Sequence, residues 1–149
     1  MKIGLICSHG GHLTEMLGLI DAFSGHDLFF ATYESARVAE LRTRYPTYAL
    51  QNIGTSPWRA FKALLPAWRI LRLERPQVIV STGSEIALPF FLLARLLRIR
   101  TIFVESVCRV ETASQTGRVL YPLADVFLVQ WPQLLARYGR RARYEGGLL

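Results

Sequence analysis

Three short segments hold most of the residues able to do chemistry. In the first, Ser8-His9-Gly10-Gly11-His12, two imidazoles flank a glycine pair directly after an apolar run. An imidazole can take or give a proton near neutral pH. Adjacent glycines let the backbone turn tightly and approach a ligand, and the helix that follows offers free N–H groups to an anion. The spacing is not G-x-G-x-x-G, so a nicotinamide fingerprint is not met. The same residues also read as a plain strand-to-helix turn with exposed histidines. Cys7, His9 and His12 as a zinc set would lack a fourth ligand, and Cys7 ends a buried run, so no metal is expected.

A second small-residue loop, Ser81-Thr82-Gly83-Ser84-Glu85, again feeds a helix, with Ser84 placed to cap it. Either loop alone is a weak signal; two on neighbouring strands would cradle a diphosphate. The third segment runs from Glu105 to Ser114 and contains Arg109. An acid that closes an apolar strand is costly unless it faces a crevice or meets a cation. Arg109 could pair with Glu105 or contact phosphate, so a structural ion pair and a catalytic role both stay open here.

The elements that must position these loops alternate along the whole chain. KIGLIC, DLFFAT, TYALQ, QVIVST, TIFVES and DVFLVQ read as strands, several apolar enough to be buried on both faces of a parallel sheet. HLTEMLGLIDAFS, SARVAELRTRY, WRAFKALLPAWRILRLE, EIALPFFLLARLLR and TASQTGRVLYPLA read as helices between them. This order predicts an α/β fold with a doubly wound, Rossmann-like parallel sheet in one domain over residues 1–149. Such sheets bind ligands at the carboxyl ends of their strands, where all three segments fall.

The 149 residues are 51% hydrophobic and 19% charged, which excludes a disordered chain. Eighteen Lys and Arg against eleven acids give a net charge of +7. That excess favours a phosphate-rich partner: nucleic acid, an anionic membrane, a nucleotide or a lipid diphosphate. Cys7 and Cys108 make no disulfide framework and suit a reducing compartment. No signal peptide or membrane-spanning run is visible, the longest apolar run being IALPFFLLA.

The segment SPWRAFKALLPAWRILRLERP differs from the other helices. Trp58, Phe61, Leu64, Leu65, Trp68 and Leu71 recur at three- and four-residue steps, among Arg59, Lys62, Arg69, Arg72 and Arg75. Trp and basic residues on one amphipathic helix suit a bilayer interface. The alternative is that Trp and Leu pack on the sheet while the arginines are solvated. Pro66 predicts a kink or a break into two helices.

GGHLTEM, STGSEIALP, FVESVCRVETASQTGRVLYPLADVFLVQWP and YEGGLL, in this order, resemble one family over nearly the whole chain. It is the acceptor-side subunit of two-component UDP-sugar glycosyltransferases, which includes the membrane-anchoring partner of the dolichol-pathway N-acetylglucosaminyltransferase and the PssD-type proteins of bacterial exopolysaccharide synthesis. The resemblance implies the N-terminal half of a GT-B enzyme, with a separate donor-binding half-subunit as partner and no cofactor or nucleic acid. It implies inverting, metal-independent transfer from a UDP-sugar to a polyprenyl-diphosphate-linked saccharide, in the cytoplasm and peripheral to the cytosolic membrane face. His12 matches the last position of the glycine motif and is the expected general base, with Glu105 as substitute. His9, Gly10, Gly11, Thr82, Gly83, Ser84 and Arg109 would hold the acceptor diphosphate. The sequence begins at the first strand without the anchor helix of the eukaryotic pattern, which would shift membrane contact to Trp58, Arg59, Phe61, Lys62, Trp68, Arg69 and Arg72. Two other readings stay open. One is a self-contained nucleotide-binding module in which Glu34 accepts a ribose hydroxyl; the other is a non-catalytic scaffold that recruits the catalytic partner.

Overall fold

Seven short runs of mostly apolar residues pair in parallel, in the order β3-β2-β1-β4-β5-β6-β7. They are β1 (Lys2–Cys7), β2 (Asp27–Tyr33), β3 (Thr47–Leu50), β4 (Val78–Gly83), β5 (Arg100–Val104), β6 (Val126–Val129) and β7 (Ala142–Tyr144). The computed structural model describes residues 1–148; Leu149, the last residue of YEGGLL, lies outside them. The six expected strands are present, and β7 is an addition. Its sequence, Ala-Arg-Tyr, has neither the length nor the apolar pattern of a strand and pairs only because β6 offers an edge.

Each crossover carries its helix back over the sheet, and the direction of travel decides the face. Helices α1 (Gly11–Gly18) and α2 (Ala36–Arg42) cover one face, where Leu13, Met16 and Leu41 pack on Leu5, Cys7, Phe30 and Val80. Helices α3 (Pro57–Glu74), α4 (Ala87–Leu97), α5 (Gln115–Leu120) and α6 (Leu135–Tyr138) cover the other. There Ala67, Ile70, Phe90, Phe91 and Leu120 meet Ile6, Phe29, Ile79, Phe103 and Phe127. Two chain directions diverge between β1 and β4. That is the topological switch point.

Helix α3 is a single element from Pro57 to Glu74, so the expected break at Pro66 does not occur. Pro66 is exposed, and the Lys62 carbonyl it leaves without an N–H partner lies on the water side of the helix. Proline at the first helical position and Ser56 Oγ, which accepts from Arg59 N at 3.4 Å, start the helix. Its buried side is Ala63, Ala67, Ile70, Leu71 and Glu74. Glu74 is anchored by Lys2 and by the Tyr48 hydroxyl, tying the helix end to β1 and β3. Burial acts to raise the Glu74 carboxyl, but hydrogen bonds from Lys2 and Tyr48 and the Lys2 charge outweigh it and hold it below the usual range. Burial, with Glu74 beside it, pushes the Tyr48 phenol up to about 12. No helix among the described residues is long and apolar enough to cross a membrane.

Candidate active site at the topological switch point

The loops after β1 and β4 flank the switch point, and a backbone irregularity joins them. Ile6 pairs with Ser81 and Cys7 with Gly83, which leaves Thr82 as an extra residue in β4. Its freed carbonyl lies 2.9 Å from His12 Nδ1, and its hydroxyl donates to the His12 carbonyl at 2.7 Å. A carbonyl only accepts, so Nδ1 carries the hydrogen and the neutral ring keeps its lone pair on Nε2. His12 is thus held as the tautomer able to take a proton.

Glycine is needed at two positions here. Gly10 sits at φ +78° and ψ −134°, a region closed to side chains, and turns the chain into α1. Gly83, at φ +121°, lies under the His12 imidazole, and a Cβ there would come within 2.8 Å of the ring. Gly11 has neither constraint: nothing lies within 4 Å of where its Cβ would stand. That open space faces the cleft.

The cleft is about 690 Å³ and is lined from all three segments, by Gly11, His12, Gly83, Ser84, Glu85, Glu105 and Arg109 among others. Ser84 does not cap α4 as its position suggested. It sits at φ +75°, its hydroxyl donates to Glu85 at 2.6 Å, and the helix begins three residues later. Glu85 also accepts from the Tyr33 hydroxyl at 3.0 Å. Burial acts to raise the Glu85 carboxyl, but hydrogen bonds from Ser84, its own backbone and Tyr33, with the His12 charge, together lower it. It is an anion held beside the imidazole.

Glu105 is 1% exposed and its carboxylate is already occupied. It accepts from Ser106 N at 3.0 Å, from Ser114 N at 3.1 Å and Oγ at 2.9 Å, and from the Tyr138 hydroxyl. Arg109 is exposed and makes no ion pair with it. Of the readings left open, the Glu105–Arg109 pair is not formed; neutral donors from the loop and from α6 satisfy the buried carboxyl group instead. An acid with four donors is an organiser of the loop rather than a ready base. Ser114 also caps α5, accepting from Gly117 N at 2.8 Å.

Glu15 and Gln130 escaped the sequence reading. Glu15, 8% exposed on α1, accepts from Ser106 Oγ at 2.7 Å, Val107 N at 3.3 Å and Gln130 Nε2 at 2.9 Å. Gln130 Nε2 also reaches the Glu105 carbonyl, and its Oε1 accepts from Leu148 N at 3.0 Å. The only sequence signal was an acid on the apolar side of α1.

Other expected residues fall elsewhere. His9 is exposed and lines a separate cavity of about 440 Å³ with Tyr33, Glu34 and Ala49 to Asn52, the Tyr33 ring 6.2 Å away. Glu34 is paired with Arg42 at 3.0 Å. Cys7 is buried among apolar groups, and burial pushes its thiol up to about 12. On α3 the alternative of Trp packing on the sheet fails: Trp58 and Phe61 are both 63% exposed, with Leu65, Trp68 and Leu73 also exposed. Lys62 lies 5.3 Å over the Trp58 ring and Arg72 5.6 Å over Trp68. Leu92 and Leu96 on α4 extend this outer apolar surface beside Arg95 and Arg98. Neither α3 nor α4 carries an exposed acid.

A doubly wound parallel sheet with its cleft at the switch point defines a Rossmann-like α/β domain. Solved structures agree on the fold. MurG of Acinetobacter baumannii matches 99% of this chain and 45% of its own at a TM-score of 0.79 and 20% identity. A UDP-GlcNAc 2-epimerase of Methanocaldococcus jannaschii matches 99% and 46% at 0.75 and 21%. The chain belongs to the Alg14 family: the model described as "Oligosaccharide biosynthesis protein Alg14 like" matches residues 41–148. A relative from Eremothecium gossypii, named UDP-N-acetylglucosamine transferase subunit ALG14, is 43% identical over 68% of this chain and 47% of its own length. Relatives of the same name from Yarrowia lipolytica and Homo sapiens are 30% and 26% identical over 99% and 93% of this chain, and 81% and 79% of theirs. The chain thus spans about half the length of the first of these relatives and less than half of the MurG chain.

Proposed function

We propose that this chain is the acceptor-side subunit of an inverting glycosyltransferase that moves N-acetylglucosamine from UDP-N-acetylglucosamine to a polyprenyl-diphosphate-linked saccharide. The reading rests on His12, whose Nδ1 is committed to the Thr82 carbonyl while its ring lines a cleft at the switch point. The acceptor hydroxyl gives its proton to Nε2 as its oxygen attacks the anomeric carbon, and UDP leaves from the opposite side. Glu85 beside the ring stabilises the imidazolium that forms. Gly10, Gly11, Gly83 and Ser84 present backbone groups to the acceptor diphosphate, Thr82 holds His12 beside it, and Arg109 supplies the charge across the cleft. Glu105 positions that wall and does not take the proton.

A separate donor-binding half-subunit closes the cleft, in keeping with the word "subunit" in the names of the relatives. The outer surface of α3 and α4 lies on the cytosolic membrane face. Exposed Trp58, Phe61, Trp68, Leu92 and Leu96 enter the interface, while Arg59, Lys62, Arg69, Arg72, Arg95 and Arg98 meet anionic headgroups. The test is reconstitution with the donor-binding subunit, labelled UDP-N-acetylglucosamine and a polyprenyl-diphosphate saccharide, in the presence of a chelator. The expected product carries the new sugar with inverted anomeric configuration. No transfer, or retention of configuration, would overturn the reading.

A further inference from the structure

Three depressions on this surface follow one another in an order that matches the parts of an amphiphile. The first is the His12 cleft, which ends at Glu85. Glu85 is hydrogen-bonded to Tyr33, and Tyr33 lines the second, the polar cavity of about 440 Å³ that holds His9. Ala49, Leu50, Gln51 and Asn52 line that cavity and also the third. This last is a groove of about 1020 Å³ between β3, an edge strand, and one flank of α3. Its walls are Ala63, Pro66, Ile70 and Leu73, with Trp58 near its mouth and Arg59, Lys62 and Arg69 along its rim. Polar cavity and apolar trough with a cationic rim are thus continuous, and the Glu85–Tyr33 hydrogen bond sets the reaction centre beside them.

Resting on the acceptor class argued above, we infer that the groove between β3 and α3 holds the first isoprene units of the acceptor, with its diphosphate along the glycine loop between the His9 cavity and the cleft and its hydroxyl at His12. The occupant follows from continuity and charge. An apolar trough rimmed by three cations, and continuous with the cavity beside the glycine loop, fits a chain whose apolar part begins directly after two phosphates. Helix α3 is both the groove wall and the carrier of the exposed Trp58, Phe61, Leu65 and Trp68. A lipid could thus pass from the bilayer into the groove without its chain crossing water. The glycine loops explain how the diphosphate is held; the groove explains how one apolar tail is told from another.

Ala49 is exposed at the junction of cavity and groove, on an edge strand where a large side chain is tolerated. The experiment uses the reconstituted pair, with acceptors bearing a long polyprenyl or a two-isoprene chain, and a diphosphate probe with a photoreactive group on its first isoprene unit. Wild type should show a KM about tenfold lower for the long chain, and the probe should label residues 47–52 and 62–73. Ala49→Trp should bring the two KM values together and abolish that labelling, with circular dichroism unchanged. The milder Ala49→Leu should give an intermediate KM ratio. Transfer with no chain-length preference, or labelling elsewhere with Ala49→Trp neutral, would overturn the groove and leave the acceptor class standing. Protection of the groove on adding the donor-binding subunit alone, with transfer intact, would make it a protein interface and also overturn the inference. No transfer and no labelling with either acceptor would remove the acceptor class itself, and the groove assignment with it.

Discussion

At the scale of single residues, His12 and His9 have separable fates although three positions apart. His12 is fixed to Thr82 and lines the cleft; His9 is exposed and belongs to the neighbouring cavity. His12→Ala should lower kcat by about 10²–10⁴-fold in the reconstituted pair with binding of the donor-binding subunit unchanged, whereas His9→Ala should act mainly on acceptor KM. The glycines separate in the same way. Gly83→Ala places a Cβ within 2.8 Å of the imidazole at a φ that side chains avoid, so the ring must move. Its kcat should fall by about 10²-fold without acceptor KM carrying the loss. Gly11→Ala meets nothing in the structure, so its melting temperature should match wild type while acceptor KM rises. A wild-type acceptor KM in Gly11→Ala would remove that backbone from the diphosphate site.

Helix α3 is where the element scale decides most. Its buried side is small and aliphatic, while its large aromatics point outward, the reverse of an ordinary core-facing helix. Trp58→Ala with Trp68→Ala, or Arg69→Glu with Arg72→Glu, should weaken sedimentation with anionic liposomes. Each basic group near such a surface contributes about 1 kcal/mol, so the double reversal should be plain and salt-sensitive. Undiminished binding with an intact circular dichroism spectrum would leave these side chains merely solvated. The lower end of the same helix is tied down by Glu74, Lys2 and Tyr48. Because Glu74 is held below the usual carboxylate range, this contribution to stability is complete above that range and is lost as pH falls through the lowered value. Lys2 is partly exposed, so Lys2→Met should cost about 1–2 kcal/mol in denaturant unfolding at pH 7, with the gap to wild type closing in acid. A gap that widens in acid would contradict the assignment.

At the scale of the whole molecule, the cleft belongs to one domain alone. Its residues come from the loops after β1, β4 and β5, and the fold relatives match this chain over less than half of their own length. Purified alone, the chain should show no transfer above background, and activity should appear on titration with the donor-binding subunit and saturate at a fixed stoichiometry. Turnover by the isolated chain comparable to that of the pair would contradict the two-part reading.

The sequence by itself determined the doubly wound sheet, because buried parallel strands must be continuous apolar runs and their crossovers must be amphipathic. It also determined which loops would meet in one cleft, since ligand crevices of such sheets lie at the carboxyl ends of their strands. It left β7 unread and the α3 aromatics open between bilayer and sheet, because a three-residue edge strand has no period and a helical stripe does not say which side meets the sheet. Tertiary structure decided the rest. The bulge at Thr82 that orients His12, the Tyr138 hydroxyl on Glu105 and the bridge from Glu15 through Gln130 join residues 25 to 115 positions apart. Local patterns encode an element's face and ends; which carbonyl meets which imidazole depends on strand order and register, and these exist only once the chain has folded.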